Sequence, residues 1–299
     1  MRYRVTHTTT YAYDELVSIG HNEVRLEPRA TPRQRCFATV LEIDPTPAVL
    51  SPELDYFGNR ASFFTLQEPH HRMLVTARSE LEIAAAPPPR PEATPAWDDL
   101  LSSLPYDTSA EGLSAFEMSF ESPLVPLSPA FAEFAEPCFP PGRPLLEAAL
   151  DLTGRIHAAF EYRPGATSVT TPALEVLEQR HGVCQDFAHV EIACLRALGL
   201  PARYVSGYIR THPPPGRERL VGADASHAWV SVWTGEAGWI DLDPTNDRIA
   251  GDQHVTLAWG RDYADVAPIK GVILGGGGHT VEVAVEVEES EEPSHEDPR

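Results

Sequence analysis

The stretch from Glu175 to Pro201 constrains this chain more than any other. Glu175 to Gln179 reads as the end of a short helix, and Arg180-His181-Gly182 breaks it. From Cys184 onward, Phe187, Val190, Cys194 and Leu198 recur at helical spacing, with Ile192 and Leu195 flanking. Gly199-Leu200-Pro201 stops the run, because glycine takes the left-handed conformation and proline cannot continue a helix. Cys184 therefore belongs in the first turn of a buried helix. Unpaired backbone N–H groups there favour a thiolate, the nucleophilic form of cysteine, over a thiol. Asp186 works against that effect: its carboxylate suits the helix end but disfavours a second negative charge nearby.

Other features narrow what such a cysteine can do. The cysteines Cys36, Cys138, Cys184 and Cys194 lack CxxC spacing, which argues against a zinc site or a disulfide framework. A net charge of -21 argues against nucleic acid and anionic membrane as partners. No apolar run is long enough for a membrane span, and Met1-Arg-Tyr-Arg-Val enters a strand-like pattern without a signal-peptide core, so the expected location is cytoplasmic.

Residues 1–85 read as a small antiparallel β-sandwich or barrel. Tyr3, Val5, His7, Thr9 and Tyr11 alternate with Arg4, Thr6, Thr8 and Thr10; Phe37 to Ile43 and Met73 to Ile83 alternate likewise, and Asp55-Tyr-Phe-Gly-Asn59 signals a turn. His70-His71 has no evident third ligand for a metal. Residues 86–143 carry many of the chain's 29 prolines. They are expected to be a stiff linker, then loops and one-turn helices lying over the surface. From 144 to 288 a mixed α and β core is expected. Leu145, Ala149, Leu152, Ile156 and Phe160 form a helical stripe. Thr171-Pro172 signals the start of a second helix, Ala202 to Arg210 reads as a strand, and Thr211 to Asp224 as a polar loop. Val281, Val283, Val285 and Val287 alternate with glutamates in a last strand. Residues 289–299 are expected to be a disordered acidic tail.

A thiolate nucleophile needs a base, and the base needs an orienting group. Ser226 to Trp233 and Trp239 to Asp243 flank the turn Thr234-Gly-Glu-Ala-Gly238 and read as a hairpin. A turn centred on Gly235 or Glu236 puts His227 and Asp243 on one face, directly opposite or one diagonal step apart, within reach of each other. A register offset by one residue would put them on opposite faces. Asp241 shares the face and is a weaker candidate for the same role. His181 and His189 are rival bases. A metal site from Cys184, His181, His189 and His227 is a further alternative, without compact ligand spacing. A buried, unreactive cysteine beside ordinary polar strand residues is the plainest alternative.

The segments Arg180-His-Gly-Val-Cys184-Gln-Asp-Phe-Ala-His189, Ala225-Ser-His227-Ala-Trp-Val230 and Gly238-Trp-Ile-Asp-Leu-Asp243-Pro-Thr-Asn246 resemble the three motifs of the bacterial transglutaminase-like superfamily, in the same order. Leu198-Gly-Leu-Pro-Ala-Arg-Tyr-Val-Ser-Gly207 is similar to that family as well. Asp55 to Asn59 and Glu68-Pro-His-His71 resemble the β domain that precedes the core in one bacterial branch. The resemblance implies an α+β, papain/transglutaminase-like core: a cysteine helix packed on an antiparallel sheet, preceded by a small all-β domain. It implies Cys184 as nucleophile, His227 as general base and then acid, and Asp243 as orienting group. It also implies Trp229 as a wall of the substrate site and the backbone N–H of Cys184 as one oxyanion donor, with Gln185 a poor second. No cofactor is implied.

The expected chemistry is acyl transfer or hydrolysis at an amide through a thioester, acting on a peptide, a protein or a small amide. The motifs do not choose between amidase or peptidase action and transglutamination. The competing expectation is a non-catalytic module that binds a peptide or protein on the same fold.

Overall fold

The computed structural model describes residues 1–87, 89–210 and 226–290. The N-terminal region holds β1 (Arg2–Val24), β2 (Gln34–Asp44), β3 (Val49–Leu54), β4 (Arg60–Leu66) and β5 (His70–Ile83). Four helices follow: α1 (Trp97–Ser103), α2 (Ala110–Glu117), α3 (Pro129–Ala135) and α4 (Leu145–Ala159). Then come β6 (Glu161–Tyr162), α5 (Ala173–Gln179), β7 (His181–Gly182), α6 (Cys184–Ala197) and β8 (Ala202–Ile209). The chain continues with β9 (His227–Trp233), β10 (Trp239–Asp243), β11 (Arg248–Ile249), β12 (His254–Gly260), α7 (Tyr263–Val266), β13 (Ile269–Gly275) and β14 (His279–Glu289).

Two antiparallel sheets organise these elements. The N-terminal sheet runs β2-β5-β1-β4-β3, with β13 and β14 also pairing β1. β1 is long enough to serve two sets of neighbours. Its first half, from Tyr3 to Tyr13, lies against β14, with β5 on the other side, while Val17 to Val24 lies against β13. This corrects the expectation for the last strand: β14 closes the N-terminal sheet instead of ending the mixed α and β core. Its alternation suits that place, since Val285 and Val287 are buried while the glutamates beside them are exposed. Glu289, expected to open the tail, pairs with Tyr3. The rest of the expected tail (291–299) and the loop expected over 211–224 lie outside the described residues.

The second sheet runs β11-β10-β9-β8-β12, and α6 packs on one of its faces. Ala228, Val230, Val232, Ile240 and Leu242 bury their side chains in the same core as Phe187, Val190 and Leu195 of α6. The helix ends as its sequence implies: Gly199 takes φ 83°, and the Leu200 N–H reaches back to the Leu195 carbonyl at 2.9 Å.

The proline-rich segment is not a surface linker. α3 packs against α6, and Phe131 and Val125 are fully buried in the common core. Proline is compatible with this because Pro129 occupies the first helical position behind the Ser128 cap, where a missing N–H removes no helical bond. The N-terminal region is joined to the second sheet by side chains acting as a strand would. The Gln34 amide donates to the Thr256 carbonyl at 2.7 Å and accepts from the Thr256 N–H at 2.9 Å. The Asn59 amide makes the same pair of bonds to Trp259, at 2.9 and 3.0 Å. Backbone groups of β12, at the edge of the sheet, are thereby satisfied.

Candidate active site

Cys184 is the first residue of α6 and is half-buried. The segment before it is tightly specified. Val183 is extended, and its N–H donates to Asp186 Oδ2 at 2.8 Å. The same oxygen accepts from Thr167 Oγ1 at 2.6 Å. A carboxylate three residues into the helix thus reaches back to an N–H outside it. Gly182 is required for this: a Cβ there would lie 2.6–2.9 Å from the Asp186 side chain. Burial pushes the Asp186 carboxyl up, partly offset by Thr167 and the Val183 N–H. Gln185 Nε2 donates to the Val169 carbonyl at 3.2 Å, so its amide tethers the loop before α5.

The hairpin has the register that brings histidine and aspartate together. Trp239 pairs with Trp233, Ile240 with Val232, Asp241 with Ser231 and Leu242 with Val230. Continued by one residue, this register sets Asp243 across from Trp229, so His227 is one diagonal step away on the same face. His227 Nε2 donates to Asp243 Oδ2 at 3.0 Å, and both side chains are fully buried. Burial alone would lower the His227 pKa. The Asp243 carboxylate and then the charge and hydrogen bond of Cys184 outweigh it, and the ring is held well above its ordinary value. Burial works to raise Asp243, yet His227 and then His254 hold it well below the usual carboxylate range. With Nε2 committed to Asp243, the nitrogen left to face Cys184 is Nδ1, which is buried and meets no other hydrogen-bond partner among the described residues.

Asp243 has more support than the sequence suggests. His254 Nε2, from β12, donates to Oδ2 at 3.1 Å, and Asn246 Nδ2 donates to it at 2.8 Å. The Thr245 N–H donates to Oδ1 at 3.0 Å. Gly251 N–H points at His254 Nδ1 at 3.3 Å, which fixes the proton on Nε2. Sequence reasoning missed His254: it lies in another strand, and no local pattern distinguishes it. Asn246 closes the third motif, but nothing local marks it as a donor to the aspartate.

The other candidates separate from this cluster. His189 is buried, accepts the Tyr263 N–H at 3.2 Å, and is pushed down to about 4 by burial. His181 hydrogen-bonds the Gln179 carbonyl through Nδ1 at 3.1 Å. Asp241 accepts the Trp229 Nε1–H at 3.1 Å. Trp229 has no accessible surface, which corrects its expected place as a wall facing substrate. It instead packs beside the His227 ring at 6.1 Å between centroids and edges onto His254 at 5.3 Å, a brace behind the imidazole. His70 and His71 open β5, one buried and one exposed. Among the described residues no group of three or more His, Cys, Asp or Glu side chains is arranged to hold a metal ion. Nor is any helix among them long and apolar enough to cross a membrane.

Two family models match this chain. The bacterial transglutaminase-like N-terminal region covers residues 3–82, and the transglutaminase-like superfamily covers residues 133–244. An uncharacterized protein of Mycobacterium tuberculosis is 43% identical over 291 residues, spanning 96% of this chain and 92% of that protein. A protein-glutamine gamma-glutamyltransferase of Pseudomonas aeruginosa is 35% identical over 120 residues, 38% of this chain and 18% of that enzyme. A crystal structure of a Cytophaga hutchinsonii protein proposed to be a cysteine protease superposes with a TM-score of 0.73. It covers 96% of this chain and 90% of that one at 22% identity, a likeness of fold.

Proposed function

Because the chain belongs to the transglutaminase-like superfamily, we propose that it is a cysteine-dependent acyl-transfer enzyme with Cys184, His227 and Asp243 as its triad. The observation that carries this reading is the buried His227–Asp243 hydrogen bond of 3.0 Å, which leaves Nδ1 free for Cys184. A buried imidazolium is costly alone, and the ionised, multiply hydrogen-bonded Asp243 offsets that cost.

The Cys184 sulfur attacks a carboxamide or peptide carbonyl, forming a C–S bond and a tetrahedral oxyanion. The backbone N–H of Cys184, at the helix start, is the proposed donor to that oxygen. His227 passes the proton on Nδ1 to the departing nitrogen, the C–N bond breaks, and a thioester remains. A water molecule or an amine then attacks the thioester while His227 takes its proton, and cleavage of the C–S bond releases the Cys184 thiolate beside the reprotonated His227. Asp243 keeps its charge throughout and holds the ring in the required tautomer. Cys184 is half-buried rather than sealed, which favours water over an amine as acceptor, so amidase or peptidase action is the preferred form. The chemistry needs a free thiol, which a reducing, cytoplasmic location would preserve.

An electrophilic thiol probe tests the reading directly. At neutral pH, labelling at Cys184 should outpace labelling at half-buried Cys36 by a wide margin and vanish in Cys184→Ala. Equal rates at the two sites would refute it. Glutamine-amide peptides with and without a primary amine then separate hydrolysis from transfer.

A further inference from the structure

A cleft of about 1710 Å3 includes neither Cys184 nor His227 among its described lining residues. It lies between the N-terminal sheet, the proline-rich segment and the face of the second sheet turned away from α6. His254 belongs both to its wall and to the cluster around Asp243.

Arg203 lines this cleft and is 9% exposed. Its guanidinium is clamped between two indoles, 4.1 Å from the ring centroid of Trp239 and 3.8 Å from that of Trp259. Arg29 covers the far face of Trp259 at 3.2 Å and is itself fixed by the Phe57 carbonyl at 3.1 Å. The stack holds the plane of Arg203 rigid and leaves only the edges of the guanidinium free to donate. Among the described residues no acceptor meets those edges, and Nε is buried without a partner. The carboxylate nearest in register, Asp241, stabilises the charge from a distance but is itself taken by Trp229 Nε1. A buried, unpaired guanidinium beside a cleft is strongly disfavoured unless an anion completes it. A planar fork of donors matches a carboxylate.

The rest of the cleft narrows the ligand. Apolar surface from Trp239, Ile249 and Leu100 suits a hydrocarbon side chain next to the carboxylate. Among the exposed residues of the lining, Asp99, Asp107, Glu111 and Glu236 outnumber Arg33, which opposes polyanions and favours positive charge beyond the anchor. The geometry points to a second, non-catalytic site that takes the C-terminal carboxylate of a peptide with an apolar last residue, anchored on Arg203. Free carboxylic acids of the same shape share that anchor.

Calorimetry on the full-length protein, which reads binding whether or not the protein turns over, tests this site with acetyl-lysyl-alanyl-leucine as the free acid, the same peptide as its C-terminal amide, and N-acetyl-leucine. The acid should bind at least tenfold more tightly than the amide. Binding should be lost in Arg203→Met, which keeps length but not charge or donors. Gly251→Phe provides a variant independent of the stack. Gly251 lines the cleft, and a Cβ there meets nothing within 4 Å among the described residues, so a phenyl group should enter the cleft without unfolding the protein. Loss of acid binding in Gly251→Phe supports the site. N-acetyl-leucine binding as tightly as the peptide also supports it, with a small acid as the source. Equal affinity for acid and amide, no saturable binding of the acid at millimolar concentration, or unchanged binding in Gly251→Phe overturns it.

Discussion

Replacing Asp243 by asparagine should disarm the site by discharging His227, and the molecule contains its own standard for the size of the effect. His189 is as deeply buried as His227 but faces no ionised hydrogen-bond partner, and burial takes it from 6.5 to about 4. His227 sits above 6.5 because Asp243 and Cys184 outweigh the same burial. Without the carboxylate, His227 should fall towards the His189 value, a change of at least about 2.5 pH units or about 3 kcal/mol. At pH 6 a ring with a pKa near 4 is protonated in about one molecule in a hundred, so the thiolate–imidazolium pair should be about 100-fold rarer. Alkylation of Cys184 by iodoacetamide at pH 6 reads this population, and the imidazole resonances of His227 read its proton directly. In the native protein the ring's pKa in the fold lies above the unfolded value. Its contribution to stability is therefore complete below about pH 6.5 and is lost as pH rises through the folded value. In Asp243→Asn the sign reverses, and stability is lost as pH falls from about 6.5 towards 4. A folded Asp243→Asn protein alkylated within tenfold of the native rate would refute the reasoning.

Removing His254 deletes one hydrogen bond to an ionised carboxylate, a contribution of about 1.5–3 kcal/mol. His254→Ala should lower kcat by roughly tenfold or more with little change in KM, while His254→Gln, which can still donate, recovers part of it. Glu191 is fully buried with Thr153 Oγ1 donating to Oε1 at 2.7 Å, and burial pushes its carboxyl up to about 8. Its folded pKa exceeds the unfolded one, so native stability should fall by about 1.4 kcal/mol per pH unit between about 4.5 and 8 relative to Glu191→Gln, as followed by urea unfolding. Parallel curves for the two proteins would show that Glu191 ionises freely. Phe131→Ala should cost about 3–5 kcal/mol in the same assay if the proline-rich segment is part of the core, and under about 1 kcal/mol if it is a surface linker.

What the chain announces locally is what it builds locally. Breaker, helix start and helix stop around Cys184 act within a few residues of one another, and α6 runs from Cys184 to Ala197 as they imply. Residue spacing offered His227 and Asp243 a common face only for one parity of the hairpin register, and the pairing of Leu242 with Val230 is what selected it. The proline-rich segment misled because proline density signals broken structure on average, whereas Pro129 stands where helix geometry accepts it. The destination of β14 was illegible for a different reason. An alternating strand fits any sheet edge with one buried face, and only the three-dimensional arrangement set it beside β1, about as far away in sequence as the chain allows. The same holds for His254 on Asp243, for Gln34 and Asn59 on β12, and for Arg203 between two tryptophans. Each joins side chains from different strands, and local propensity carries no information about such meetings. The sequence by itself determined where the cysteine, histidine and aspartate sit within their own elements. The tertiary structure decided what surrounds them, because burial, shared hydrogen-bond acceptors and orphaned charge come into being only when distant segments close on the same point.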